Sequence, residues 1–140
     1  MSPECQAPLA VAQHSDERGT LAVFDRETLP FAPVRTFAIF DVPPGATRGG
    51  HALSCDEYLW VAAGGCRIHL DDGKRVSSIL LNDRQRALLV QAGVRVTLGE
   101  FLPETLLLVF APKLYSEVER FDAPQPDLIA ARNSMHDSTG

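Results

Sequence analysis

The sequence predicts an all-β fold, an antiparallel jelly roll, on three observations. Between Gly19 and Ala111 short apolar runs alternate with turn signals roughly every 8 to 12 residues. Proline and glycine fall in the breaks between runs. Nothing in this span reads as a long helix.

The runs in order are "TLAVF", "VRTFAIF", "EYLWVAA", "CRIHL", "RVSSILL", "RALLV", "VRVTL" and "TLLLVFA". Between them, "LPFAP" and "VPPGATRGG" read as loops, and "DDGK" as a hairpin turn in which Gly73 supplies positive φ. "LNDRQ" and "LPET" are further turns. "RIHL" and "VRVTL" alternate in polarity, which gives each one buried and one wet face, whereas "TLLLVF" is apolar throughout and belongs inside a sheet. The core is expected between two sheets. After Pro112, "KLYSEVERFDA" predicts a short helix with Leu114, Val118 and Phe121 at helical spacing. Beyond Pro124 the pattern fades to a helical turn at Leu128 to Arg132 and a disordered end of about eight residues. The expected organisation is an N-terminal arm (1–18), the jelly-roll domain with its short C-terminal helix (19–124) and a partly disordered tail (125–140).

A chain of 140 residues with 45% hydrophobic and 22% charged residues suits one domain. The net charge of -5 gives no electrostatic reason to bind nucleic acid or an anionic membrane, and an anionic substrate would need a local basic pocket. No apolar run reaches the roughly 18 residues of a membrane span, and "MSPECQAPLAVAQH" lacks the basic start and apolar core of a secretory signal, so a cytoplasmic protein is expected. Cys5, Cys55 and Cys66 form no metal or redox spacing and read as reduced thiols.

The chemistry concentrates in "GATRGGHALSCDEYLWVAAGG", Gly45 to Gly65. Gly45, His51, Glu57 and Gly64 match the first cupin motif, G-x5-H-x-H-x3-E-x6-G, except that Leu53 stands at the second histidine. On a strand, positions 51 and 53 share a face. The second motif resembles "QAGVRV", with Gln91 and Val96 where proline and histidine are usual. One imidazole and one carboxylate are too few for a tight transition-metal site, so no metal is expected.

A closer resemblance is to the dTDP-4-keto-6-deoxyglucose 3,4-ketoisomerases, a metal-independent branch of the cupins. It is carried by "RGTL", "LPF", "VRTFAIFDVPPG", "RGGHA", "CRIHLDDG", "LLV" and "YSEVERF", in this order over about 100 residues. The resemblance implies a cupin jelly roll, no cofactor, a dTDP-linked nucleotide sugar as partner and a homodimer. It implies proton transfer beside a ketone: a base removes the C3 proton of a 4-keto sugar, an enediol forms, and reprotonation at C4 moves the carbonyl to C3. His51 matches the first of the family's two catalytic histidines, and Arg48 is the anion or oxyanion contact. Arg35, Glu57, Tyr58 and Arg95 are the candidate substrate-binding residues, with Glu57 read first as a partner for an arginine. The chain departs from the family at Leu53, at Ala38 where an active-site tyrosine is common, and at Arg95 and Val96 where a Trp-His pair is usual. His69 reads as a sheet-surface residue. The alternative readings are a catalytically silent nucleotide-sugar-binding cupin or accessory subunit and, third, a deoxysugar epimerase-like cupin, for which no Asp partner of His51 is evident.

Overall fold

The computed structural model describes residues 8–139. Twelve strands run through it: β1 (Leu9–Ala10), β2 (Gln13–Asp16), β3 (Gly19–Ala22), β4 (Arg35–Phe40), β5 (Arg48–Leu53), β6 (Glu57–Ala63), β7 (Cys66–Asp71), β8 (Val76–Leu81), β9 (Arg86–Val90), β10 (Arg95–Gly99), β11 (Leu106–Ala111) and β12 (Arg120–Phe121). One α-helix, α1 (Pro126–Thr139), follows them. Two five-stranded antiparallel sheets, ordered β1-β9-β6-β11-β4 and β12-β5-β10-β7-β8, form the jelly roll, and β2 pairs with β3 in a separate hairpin. The fold is the one the sequence predicts, and each of the eight apolar runs forms a strand.

The two-residue period of a strand decides what each sheet buries. In β6, Leu59 and Val61 point between the sheets to meet Leu107, Val109, Ile68, Leu70, Val96 and Leu98 in the main core. The intervening Tyr58 and Trp60 point outward and form a second cluster with Phe110, Ala87 and Leu29. Phe24 closes that cluster, with ring centroids 4.6 Å from Phe110 and 4.7 Å from Trp60. The Trp60 indole N–H donates to the Arg84 carbonyl at 2.7 Å, which satisfies its one polar atom.

Three segments differ from expectation. "VPPGATRGG" is loop only as far as Thr47, because β5 begins at Arg48 and pairs with β10 across a bulge at Val96/Thr97. Gly50, with φ +88°, is the extra residue of that bulge, and beside it Gly49 has φ +79° and a Cβ there would lie 2.9 Å from the Val96 carbonyl oxygen. The segment read as an arm carries β1 and β2 among its described residues.

The largest difference follows Pro112. "KLYSEVERFDA" is not an α-helix. It forms a single 3-10 turn at Tyr115–Glu117 and then β12, in which Arg120 pairs with Leu53 and Phe121 with Ala52. The open edge of β5 offers unpaired backbone groups, and pairing with them outweighs the local helical spacing. The C-terminal helix lies further along, at Pro126–Thr139. Pro126 opens it without losing a backbone donor, and Asp127 sits favourably in its first turn. Ile129 is 5% exposed and joins the main core, while the Arg132 guanidinium grips Asp56 through Nε–Oδ1 at 2.9 Å and Nη2–Oδ2 at 2.9 Å. The anchor residues are thus spaced along one short helix that the sequence signal showed only as one turn.

Candidate functional site

Between the two sheets lies a cavity of about 450 Å³. The first sheet contributes Arg35, Phe37 and Ile39 from β4, Glu57 and Leu59 from β6, and Val109 from β11. The second contributes Arg48, Gly49, His51 and Leu53 from β5, Val96 and Leu98 from β10, and Arg120 from β12; Tyr115 closes one side. Polar groups therefore stand around an apolar floor. A site of this volume and lining suits a small organic ligand.

His51 is half-buried, and its pKa lies below the usual 6.5. Burial is the main cause, and the positive charges of Arg120 and Arg95 add to it against the opposing pull of Asp122. The imidazole is therefore neutral near pH 7, the state that accepts a proton. Leu53 lies on the same face of β5 and is 6% exposed, so the position of the missing second histidine is part of the floor. Val96 faces the same cavity from β10.

Glu57 is 8% exposed, and burial pushes its carboxyl up to about 7, against the pull of Arg35 and Arg120. Arg35 approaches it through Nη2–Oε2 at 3.5 Å, a long contact. The Arg35 Nε–H is buried and has no acceptor among the described residues, which leaves a donor for a ligand oxygen. Arg120 stacks on Tyr115, with Cζ 4.1 Å from the ring centroid, and donates a hydrogen bond from Nη1 to its hydroxyl. Arg35 lies 5.7 Å from the same ring and 5.3 Å from that of Phe37. Three guanidinium groups, Arg35, Arg48 and Arg120, thus line one cavity in a chain of net charge -5. This is the local basic pocket an anionic substrate requires.

The structure brings together four of the sequence candidates, His51, Arg48, Arg35 and Glu57. It places two elsewhere. Tyr58 is 2% exposed and packs edge-on to Phe110 and Phe24 in the outer cluster, because its neighbours Glu57 and Leu59 take the inward positions of β6. Arg95 points out of β10, where Nε donates to the Asp122 carbonyl at 2.9 Å and Nη1 to Thr97 Oγ1 at 3.3 Å, while Val96 faces in. Ala38 likewise lies on the outer side of β4, and Phe37 and Ile39 supply the cavity face there. His69 is a sheet-surface residue 3.7 Å from Glu100. Cys55 and Cys66 are buried thiols pushed up to about 11 by burial; Cys5 lies outside the described residues.

Sequence reasoning missed Arg120 and Tyr115. Their segment, "YSEVERF", has apolar residues at helical spacing, and only the β12 pairing sets Arg120 opposite Leu53. A larger open groove of about 990 Å³ runs outside the first sheet past Gln13, Trp60 and Asn82, but its lining includes no histidine and one arginine, Arg84. The smaller cavity gathers His51, Glu57 and three arginines. Among the described residues no group of three or more His, Cys, Asp or Glu side chains could hold a metal ion, and no helix is long and apolar enough to cross a membrane.

Comparison with known proteins adds an independent line. The sequence profile of the FdtA family, described as WxcM-like, C-terminal, matches residues 7–123. The chain is 31% identical over 106 residues to the TDP-4-oxo-6-deoxy-alpha-D-glucose-3,4-oxoisomerase of Aneurinibacillus thermoaerophilus, covering 74% of this chain and 76% of that one. Among solved structures it is similar to WlaRA, a TDP-fucose-3,4-ketoisomerase from Campylobacter jejuni, with TM-score 0.75, 27% identity and coverage of 79% of this chain and 84% of that one. It is also similar to a double mutant of the QdtA 3,4-ketoisomerase from Thermoanaerobacterium thermosaccharolyticum in complex with TDP, with TM-score 0.73, 28% identity and coverage of 79% and 82%.

Proposed function

Because the chain belongs to the FdtA family, described as WxcM-like, C-terminal, we propose that it is a nucleotide-sugar 3,4-ketoisomerase acting on a TDP-4-keto-6-deoxyhexose. The observation that carries the reading is a half-buried imidazole, His51, held over an apolar floor among three arginines, with burial favouring its neutral form. Deprotonating carbon beside a ketone needs an unprotonated base, donors for the developing oxyanion and cations for the diphosphate. His51 is the base. Arg48, exposed at the cavity mouth, meets the diphosphate or the oxyanion, and the Arg35 Nε–H is a second donor toward bound oxygen. The apolar floor excludes water, so these charges act at greater strength than in solution.

Leu53 and Val96 favour a second reading, a silent cupin that binds the nucleotide sugar and transforms nothing, because both put apolar groups where the resemblance implies imidazoles. The two readings separate in one experiment. The protein is incubated with TDP-4-keto-6-deoxyglucose carrying carbon-13 at C3 and C4, and the carbonyl resonance is followed. Transfer of the carbonyl from C4 to C3 supports the isomerase; an unchanged spectrum at high enzyme concentration with TDP binding intact supports the silent binder. We further propose a cytoplasmic location and, supported by the open edge of β4 with Phe40 60% and Val34 54% exposed beside it, a homodimer. Light scattering at micromolar concentration checks the dimer.

A further inference from the structure

Resting on the ketoisomerase reading, the geometry points to a two-carrier reaction in which His51 takes the C3 proton on one face of the sugar and Glu57 delivers a proton to C4 on the other. His51 stands on β5 in the second sheet and Glu57 on β6 in the first, and both line the cavity that separates the sheets. A pyranose ring lying in this slot turns one face to each sheet. Leu53 and Val96 leave His51 as the one imidazole of the lining, the other charged groups of its wall, Arg48 and Arg120, are guanidinium groups that stay protonated, and the one carboxyl among the described lining residues is Glu57, on the far wall.

The protonation states match these roles. Burial keeps His51 neutral, ready to accept, and keeps the Glu57 carboxyl protonated up to about pH 7, ready to give. The long Arg35 contact leaves Glu57 without the close ion pair that would hold it ionised. In the first half the C3–H bond breaks, its proton goes to His51, and its electron pair forms C3=C4 while the C4 oxygen takes the charge. The O3 proton passes to O4. In the second half O3 becomes the carbonyl oxygen, and the C3=C4 pair takes the Glu57 proton at C4. His51 ends protonated and Glu57 ionised, and exchange with water restores both.

Opposite walls fix the product's configuration. In a 4-keto-6-deoxyglucose ring the C3 proton is axial; leaving from one face and arriving at C4 on the other makes the new C4–H axial as well, and the C4 hydroxyl equatorial. A single carrier would return the proton on the same face and leave that hydroxyl axial.

The test uses the full chain with TDP-4-keto-6-deoxyglucose. In heavy water, Glu57→Gln should keep the enzyme-dependent loss of the C3 proton signal within a few-fold of wild type, while forming 3-keto product at least ~100-fold more slowly. Glu57→Asp, which keeps the acid but withdraws it by one carbon, should recover part of the product rate. A retained thermal shift with TDP shows that Glu57→Gln is folded; if it is lost, Glu57→Asp carries the comparison of exchange with product. In light water the wild-type product should show a large trans-diaxial H4–H5 coupling, a readout that needs no variant. Wild-type product rates in Glu57→Gln, parallel loss of exchange and product in a folded variant, or an axial C4 hydroxyl would each overturn the inference. Wild type that neither exchanges nor isomerises would instead sink the ketoisomerase reading, and this inference with it.

Discussion

Replacing Glu57 by glutamine should make the protein more stable above pH 8 and leave it nearly unchanged near pH 4.5. Glu57 is 8% exposed and its carboxyl is raised from 4.5 to about 7 by burial, which corresponds to roughly 3 kcal/mol between the two protonation states. Below 4.5 the group is protonated in both folded and unfolded chains, and glutamine is close to an isostere. Between 4.5 and 7 the unfolded chain gives up its proton while the folded chain keeps it, so folding loses stability as pH rises. Above 7 the folded protein carries the full cost of a buried carboxylate, and the variant does not. His51 acts in the opposite direction, because its lowered pKa removes stability as pH falls below 6.5, but it is common to both proteins and cancels in the difference. The assay is urea unfolding of wild type and Glu57→Gln at pH 4.5 and pH 8.5. The variant should gain about 3 kcal/mol at pH 8.5, or roughly 6 to 12 °C in melting temperature, and about zero at pH 4.5. A wild type more stable than the variant at pH 8.5 would refute the reasoning, since it would mean that Arg35 and Glu57 form a stabilising ion pair.

TDP should raise the melting temperature while free 6-deoxyglucose does not, since three arginines line the cavity; at 100 times its dissociation constant the nucleotide should add about 2.7 kcal/mol. No shift with millimolar TDP would remove the nucleotide-sugar site. Gly49→Ala should cost about 2 kcal/mol and weaken TDP binding, because the new Cβ meets the Val96 carbonyl oxygen at a φ of +79° and displaces the strand that carries Arg48 and His51. Unfolding and titration of that variant check both, and an unchanged midpoint would show that the bulge can relax.

The jelly roll was legible because its strands carry alternation and turn residues locally, as in "CRIHLDDGK", where the strand ends at Asp71 and Gly73 turns with φ +92°. His51 and Arg48 were legible from motif spacing, and the sharing of one face by His51 and Leu53 follows from strand period alone. What stayed hidden depends on long-range pairing. Arg120 reaches the cavity only because Phe121 and Arg120 add a strand to the β5 edge, a contact 67 residues away along the chain for the Arg120–Leu53 pair. Tyr58 and Arg95 lie outside the cavity for a related reason: each has a neighbour in sequence that takes the inward position, and which of two alternating faces is inward is set by the opposing sheet. The C-terminal helix was faint because it is held by two anchors, Ile129 in the core and Arg132 on Asp56, and not by a long apolar stripe.

The central claim is that His51 moves the proton in a ketoisomerase, and the most direct test is the rate of carbonyl transfer in wild type and His51→Asn. With TDP-4-keto-6-deoxyglucose, wild type should form the 3-keto sugar, and His51→Asn should do so about 10²- to 10⁴-fold more slowly with TDP affinity nearly unchanged. Equal rates in the two proteins, or no transfer by wild type, would contradict it.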